Sequence, residues 1–146
     1  MAEVSSENKV LFIGSGIIPY EAILIAEETK AKVVGIDNSM KTLKFAQSYI
    51  NKKGLTDMIK IEYGDGLNYP IQDFDVIFIA INVWPIDSIL KHIYYHMKDD
   101  AKVMCKSFKN DIADVLKLEG LHGKFSVKWV LKNPQSKSFL LKKNRT

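Results

Sequence analysis

The strongest constraint on this chain is an alternation. Short, mostly apolar runs at residues 9–13, 32–36, 58–63, 74–81 and 102–108 are separated by stretches with helical spacing. The most apolar of these runs suit strands covered on both faces. Between them, Ala22, Ile23, Ile25 and Ala26 follow Pro19, and this helix is expected to reach about Thr29. Met40, Leu43, Ala46 and Ile50 follow Ser39, a residue suited to capping a helix, and Gly54 ends that segment. Ile86, Ile89, Leu90, Ile93 and Met97 follow Pro85, and a short helix is expected over 111–118. The pattern then changes. Phe125, Val127, Trp129 and Leu131 alternate strictly, and a last strand at 138–141 follows an Asn133-Pro134 turn. No helix fits between these two strands, so they form a hairpin. Alternation of this kind requires an α/β fold: a doubly wound, mostly parallel sheet of seven strands, with helices on both faces and a C-terminal antiparallel hairpin.

In such a sheet a ligand sits outside the carboxyl ends of the strands, where strand order reverses. The loops to inspect are therefore 14–19, 37–39, 64–66 and 81–85. In the first, Gly14 permits a tight turn and Gly16 allows a ligand close to the backbone, with Ser15 between them. The following helix aims its positive N-terminal end at the same space. Ile18 stands where a dinucleotide fingerprint has its third glycine. Asp37 ends the second strand, 23 residues after Gly14, where a carboxylate can accept hydrogen bonds from both hydroxyls of a ribose. Asn38 follows it. Asp65, between Gly64 and Gly66, can accept from an adenine amino group. A nicotinamide dinucleotide carries a pyrophosphate and favours a fuller set of glycines. S-adenosylmethionine carries none and tolerates Ile18.

Charge and composition narrow the class further. The 146 residues make one domain by length, its core spanning about 9–143. Cys105 has no partner, which excludes a disulfide scaffold, and its place in a central strand suits packing. No apolar run approaches the ~20 residues of a membrane span, and the first eight residues do not resemble a signal peptide. The expectation is a cytoplasmic domain. Residues 1–97 carry 9 Lys and 12 acids, while residues 98–146 carry 11 Lys, one Arg and 5 acids. A basic C-terminal third could attract nucleic acid, but Arg145 is the single arginine, which argues against that partner. A small-molecule substrate is expected instead. His92 and His96 lie four apart on one helix, with no local acid or cysteine to complete a ligand set, so no metal site is expected.

These segments together resemble the Rossmann-like S-adenosylmethionine-dependent methyltransferase superfamily over nearly the whole chain. The likeness rests on Val10-Leu11-Phe12-Ile13-Gly14-Ser15-Gly16, on Gly35-Ile36-Asp37-Asn38-Ser39-Met40, on Gly64-Asp65-Gly66 and on Phe74-Asp75-Val76-Ile77-Phe78. The terminal hairpin matches too, because that family inserts an antiparallel last strand into its sheet. The resemblance implies an adenosylmethionine site. Gly14 and Gly16 would lie beside the methionine and ribose, Asp37 on the ribose hydroxyls and Asp65 on the adenine. The family usually has an acid two residues before the first glycine, which helps hold the methionine amino group; this chain has Phe12. Within the superfamily, the run from Phe12 to Pro19 is similar to the corresponding loop of nicotianamine synthases. Those enzymes move an aminopropyl group from the same cofactor and carry a separate N-terminal helical domain. Eight residues precede the first strand here.

The acceptor side is written less clearly. Asn82-Val83-Trp84-Pro85 occupies the place where amino-group methyltransferases carry an Asn/Asp-Pro-Pro-aromatic motif, in a different order. Asn82, Trp84 and, from the first helix, Tyr20 are the candidate catalytic residues, and Asn82 is also a candidate cofactor contact. Three readings stay open: a methyltransferase, an aminopropyl transferase, and a non-catalytic adenosyl-ligand module or subunit. A cleft with few residues left to cover it leaves room for a homodimer.

Overall fold

The computed structural model describes residues 3–107, 111–132 and 135–145. Phe108 and the Asn133-Pro134 turn lie outside the described residues. The elements run β1 (Lys9–Ile13), α1 (Tyr20–Thr29), β2 (Lys32–Asp37), α2 (Met40–Lys53), β3 (Ile59–Tyr63), β4 (Val76–Ile79), α3 (Ile86–His96), β5 (Lys102–Ser107), α4 (Asp111–Val115), β6 (Phe125–Lys132) and β7 (Lys137–Lys143). The seven strands form one sheet in the order β3-β2-β1-β4-β5-β7-β6. The first five strands pair in parallel. β7 then enters antiparallel between β5 and β6, forming the expected hairpin with β6. Strand order reverses between β1 and β4, so the switch point lies where the loops after those two strands diverge.

The period of two along β1 explains the two cores. Val10 and Phe12 face one side, with α1 and α2; Leu11 and Ile13 face the other, with α3 and α4. Ala22, Ile25 and Ala26 of α1 and Leu43, Ala46 and Ile50 of α2 close the first core. Ile89, Leu90 and Ile93 of α3 close the second. Each such large aliphatic side chain contributes about 1.5–3 kcal/mol on full burial.

Helix ends follow their local chemistry. Ser39 Oγ accepts the Thr42 N–H at 3.3 Å, the expected cap of α2. Gly54 closes that helix in the left-handed conformation at φ 68°. Pro19 and Pro85 stand one residue earlier than expected, capping α1 and α3 rather than opening them. Two elements are shorter than the apolar pattern suggests. β4 covers residues 76–79 rather than 74–81, because Phe74 is held in a turn by its N–H to the Ile71 carbonyl. α4 stops at Val115 rather than 118. Beyond it the chain winds through successive turns, Leu118 to Val115 and Leu121 to Leu118, with Gly120 at φ 87°.

Candidate functional site

The loops after β1, β2, β3 and β4 meet in one cavity of about 270 Å³, near the lower end of the range of about 300–1,000 Å³ for small-molecule sites. Gly14, Asp37, Asn38, Gly64, Asp65, Gly66, Asn82 and Trp84 line it. Expected residues from each of the four loops are thus brought together, though not all of them.

The first loop is tied to the second strand by backbone bonds. The N–H groups of Gly14 and Ser15 both donate to the Ile36 carbonyl, at 2.9 and 3.0 Å. Gly14 adopts φ 83°, and a Cβ there would stand 2.6 Å from Val83 Cγ2, so both conformation and packing demand glycine. Gly16 adopts φ 76° with nothing within 4 Å of where its Cβ would stand. Its amide nevertheless has a partner: the Gly16 N–H donates to Asp37 Oδ2 at 3.2 Å. The Ser39 N–H donates to Asp37 Oδ1 at 3.1 Å. Asp37 therefore stitches the first two loops together. A carboxylate offers about four acceptor sites, so each oxygen keeps capacity for one more donor.

Asp65 follows the same logic. Its Oδ1 accepts the Leu67 N–H at 2.9 Å and fixes the turn. Its Oδ2 has no partner among the described residues. Gly64 and Gly66 are crowded by the neighbouring core, Gly64 more tightly. A Cβ on Gly64 would lie 2.7 Å from Tyr69 Cδ2, and one on Gly66 3.1 Å from Ile13 Cγ2. Asn82 turns the chain at φ 69°, a left-handed conformation that asparagine tolerates better than most residues. Trp84 projects from the same loop, 83% exposed.

Not every candidate converges. Ser15 is buried, its Oγ lacks a partner among the described residues, and its Cβ faces Gly35 rather than the cavity. Gly16 and Tyr20 do not line the cavity either; Tyr20 stands in solvent at 67% exposure. Phe12 is buried and stacks on Phe78, ring centroids 5.8 Å apart, so this position supplies packing and no carboxylate. His92 is not on a solvated face. It is half-buried, and its Nε2–H donates to the Tyr69 carbonyl at 2.8 Å. Among the described residues no group of histidines, cysteines and acids is placed to hold a metal. No helix among them is long and apolar enough to cross a membrane.

Sequence reasoning missed the apolar half of the wall. Ile13, Ile36, Ile81, Val83 and Ile89 line the cavity floor, and each reads in the sequence as ordinary core. Among the described residues, two carboxylates and no lysine or arginine line this space, so its local field is negative.

The fold and the placement of these loops define a Rossmann-like methyltransferase architecture. An RNA methyltransferase from Salinibacter ruber, solved with S-adenosyl-L-homocysteine, superposes with TM-score 0.80 at 15% identity, covering 99% of this chain and 87% of that one. A mutant of MtNAS, solved with S-adenosylmethionine, superposes with TM-score 0.78 at 18% identity, covering 93% of this chain and 55% of that one. The demethylmenaquinone methyltransferase of Lactobacillus johnsonii is 36% identical over 76 residues, which is 49% of this chain and 31% of the relative. The chain thus spans about a third of that relative and about half of the MtNAS chain. The nicotianamine synthase protein family matches residues 1–127, and the chain belongs to that family.

Proposed function

We propose that this chain binds S-adenosylmethionine in the cavity at the switch point and transfers a group from it, most simply methyl, to a small-molecule acceptor. The observation that carries the reading is the charge of the cavity: Asp37 and Asp65 line it, and no cation among the described residues does. A pyrophosphate would be repelled there, whereas a sulfonium and a ribose diol are welcome. The residues fit the ligand. The open space over Gly16 admits a close approach, the free acceptor capacity of Asp37 suits two ribose hydroxyls, and Asp65 Oδ2 suits an adenine amino group. Gly16 steadies Asp37 through its N–H, Ser15 ties the first loop to β2 through its own, and Asn38 lines the cavity beside Asp37. The cofactor-binding domain on this reading is residues 1–146, with its core at 9–143.

When bound, adenosylmethionine supplies an activated carbon on sulfur, open to in-line attack with the bond pair leaving on sulfur. The protein's share is positioning and exclusion of water. Asn82, fixed by its left-handed backbone, presents an amide at the end of β4. Trp84 offers an aromatic face that stabilises positive charge developing on a nucleophile. Tyr20 stands outside the cavity and takes part only after movement of the loop before α1.

Membership of the nicotianamine synthase family favours a second reading, transfer of the aminopropyl chain together with its carboxylate, which the same cavity accommodates. Product analysis separates the two. S-adenosylhomocysteine marks methyl transfer and methylthioadenosine marks transfer of the carboxylate-bearing aminopropyl chain. Neither product, with binding intact, would mark a binding module and overturn the transferase reading.

A further inference from the structure

Cys105, the His92–His96 pair and the exposed side chains of the first loop offer no second site, but a second cavity does. It measures about 290 Å³ and shares the wall Ile81–Trp84 with the first. Its far side is built by Ile86 and Ile112 and by Lys106 and Ser107 at the end of β5. Lys106 also lines an apolar groove of about 200 Å³ between α1 and the sheet, whose walls include Leu24, Phe78 and Met104. The Lys106 ammonium thus stands where two largely apolar spaces meet, one of them a loop's thickness from the cavity proposed to hold the cofactor.

We infer that this second cavity is the acceptor site, and that it takes an apolar molecule bearing a carboxylate or similar anion, bound by Lys106. The inference names the acceptor for the transferase reading above and rests on it. Lys106 Nζ donates to Glu21 Oε1 at 2.7 Å, and the two side chains are 36% and 45% exposed. A half-exposed pair of this kind is held weakly, so a ligand anion can share or displace it. Among the described residues, no acid other than Glu21 borders these two spaces. A cationic acceptor would meet Lys106 as a like charge. A neutral one would leave the ammonium with nothing better than Glu21 and water.

The test uses the whole chain and two matched probes, 3-phenylpropionate and 3-phenylpropionamide, titrated with S-adenosylhomocysteine present and absent. The carboxylate is expected to bind at least fivefold tighter than the amide. Lys106→Gln should reduce that preference to within twofold. Glu21→Gln, which frees Lys106, should tighten carboxylate binding at least twofold, a gain that misfolding cannot imitate. Equal affinity for the two probes in the wild-type chain, or an unchanged preference in Lys106→Gln, overturns the inference. Adenosylmethionine affinity, measured on the same samples, should stay within twofold of wild type in both variants. If adenosylmethionine does not bind and the carboxylate preference survives, the anion site stands and the transferase reading falls. If adenosylmethionine binds and the preference is absent, the transferase reading stands and this site falls.

Discussion

The two glycines of the first loop do different work. Gly14 is locked by its own neighbours: φ 83° is strained for any side chain, and Val83 fills the space a Cβ would need. Gly14→Ala should lower stability by at least about 2 kcal/mol, read as a loss in chemical denaturation. Gly16 has the same backbone hand and empty space around it. Gly16→Ala should cost only about 1 kcal/mol of stability, from backbone strain. Its larger effect should fall on ligand affinity, because the new methyl enters the space a ligand would use. Titration of both variants with the cofactor checks this division. A Gly16→Ala chain with unchanged affinity would show that the space is not used.

The same contrast shows what a sequence discloses at this scale. Gly14, Asp37, Asp65 and Asn82 are legible because backbone geometry or a carboxylate at a strand end marks them. Val83 and Ile89 are not, because a cavity floor and a core have the same composition. Tyr20 and Ser15 mislead for a related reason. Their positions in the chain are right, but the direction of a side chain leaving a loop depends on contacts that spacing does not encode.

Among the elements, the ends of the strands opposite the cavity are held by one residue. Asp75, just before β4, accepts the Lys9 N–H at 2.7 Å on Oδ2 and the Lys98 ammonium at 2.7 Å on Oδ1. Its own backbone bonds Lys9 and Lys102, so it joins the starts of β1, β4 and β5. The Lys98 hydrogen bond, then the Lys9 amide, holds its carboxyl below the usual carboxylate range. A carboxyl depressed in the folded state adds stability above its unfolded pKa of about 3.9, and loses it as pH falls through the lower folded value. Asp75→Asn should therefore destabilise the chain by about 1–2 kcal/mol at neutral pH. The difference from wild type should shrink below about pH 4. Thermal melts across pH 2–7 read both effects, and a gap that stays constant into acid would refute the assignment.

The element order was legible because period-two and period-3.6 patterns alternate cleanly from β1 to β5. Element ends were less so. β4 and α4 are shortened by local turns at Ile71–Phe74 and Val115–Leu121, where backbone hydrogen bonds decide the outcome and apolar content does not. The pairing of β7 between β5 and β6 came from the hairpin together with the family resemblance; the strand pattern alone allowed β6 beside β5.

At the scale of the whole molecule, the sheet divides two cores and leaves its carboxyl edge to carry chemistry. Cys105 lies deep in the second core, and burial pushes its thiol up to about 12. The thiolate is then negligible at pH 8, and reagents must wait for unfolding. Labelling by iodoacetamide should track the global unfolding rate and accelerate with denaturant in parallel. Rapid labelling of the native chain would mean that β5 opens locally. Lys106 stands on the β5 side of the carboxyl edge, while Asp37 and Asp65 sit on the β2–β3 side. One molecule thus presents a negative cavity and a positive one across the Ile81–Trp84 loop.

The central claim is that the negative cavity is an adenosylmethionine site, and calorimetric titration tests it most directly. The chain should bind S-adenosylmethionine saturably at one site and give no heat with NAD. Asp37→Asn should weaken binding about tenfold or more, since one charge-assisted hydrogen bond is worth about 1.5–3 kcal/mol. No heat with S-adenosylmethionine, or an affinity unchanged in Asp37→Asn, would contradict it.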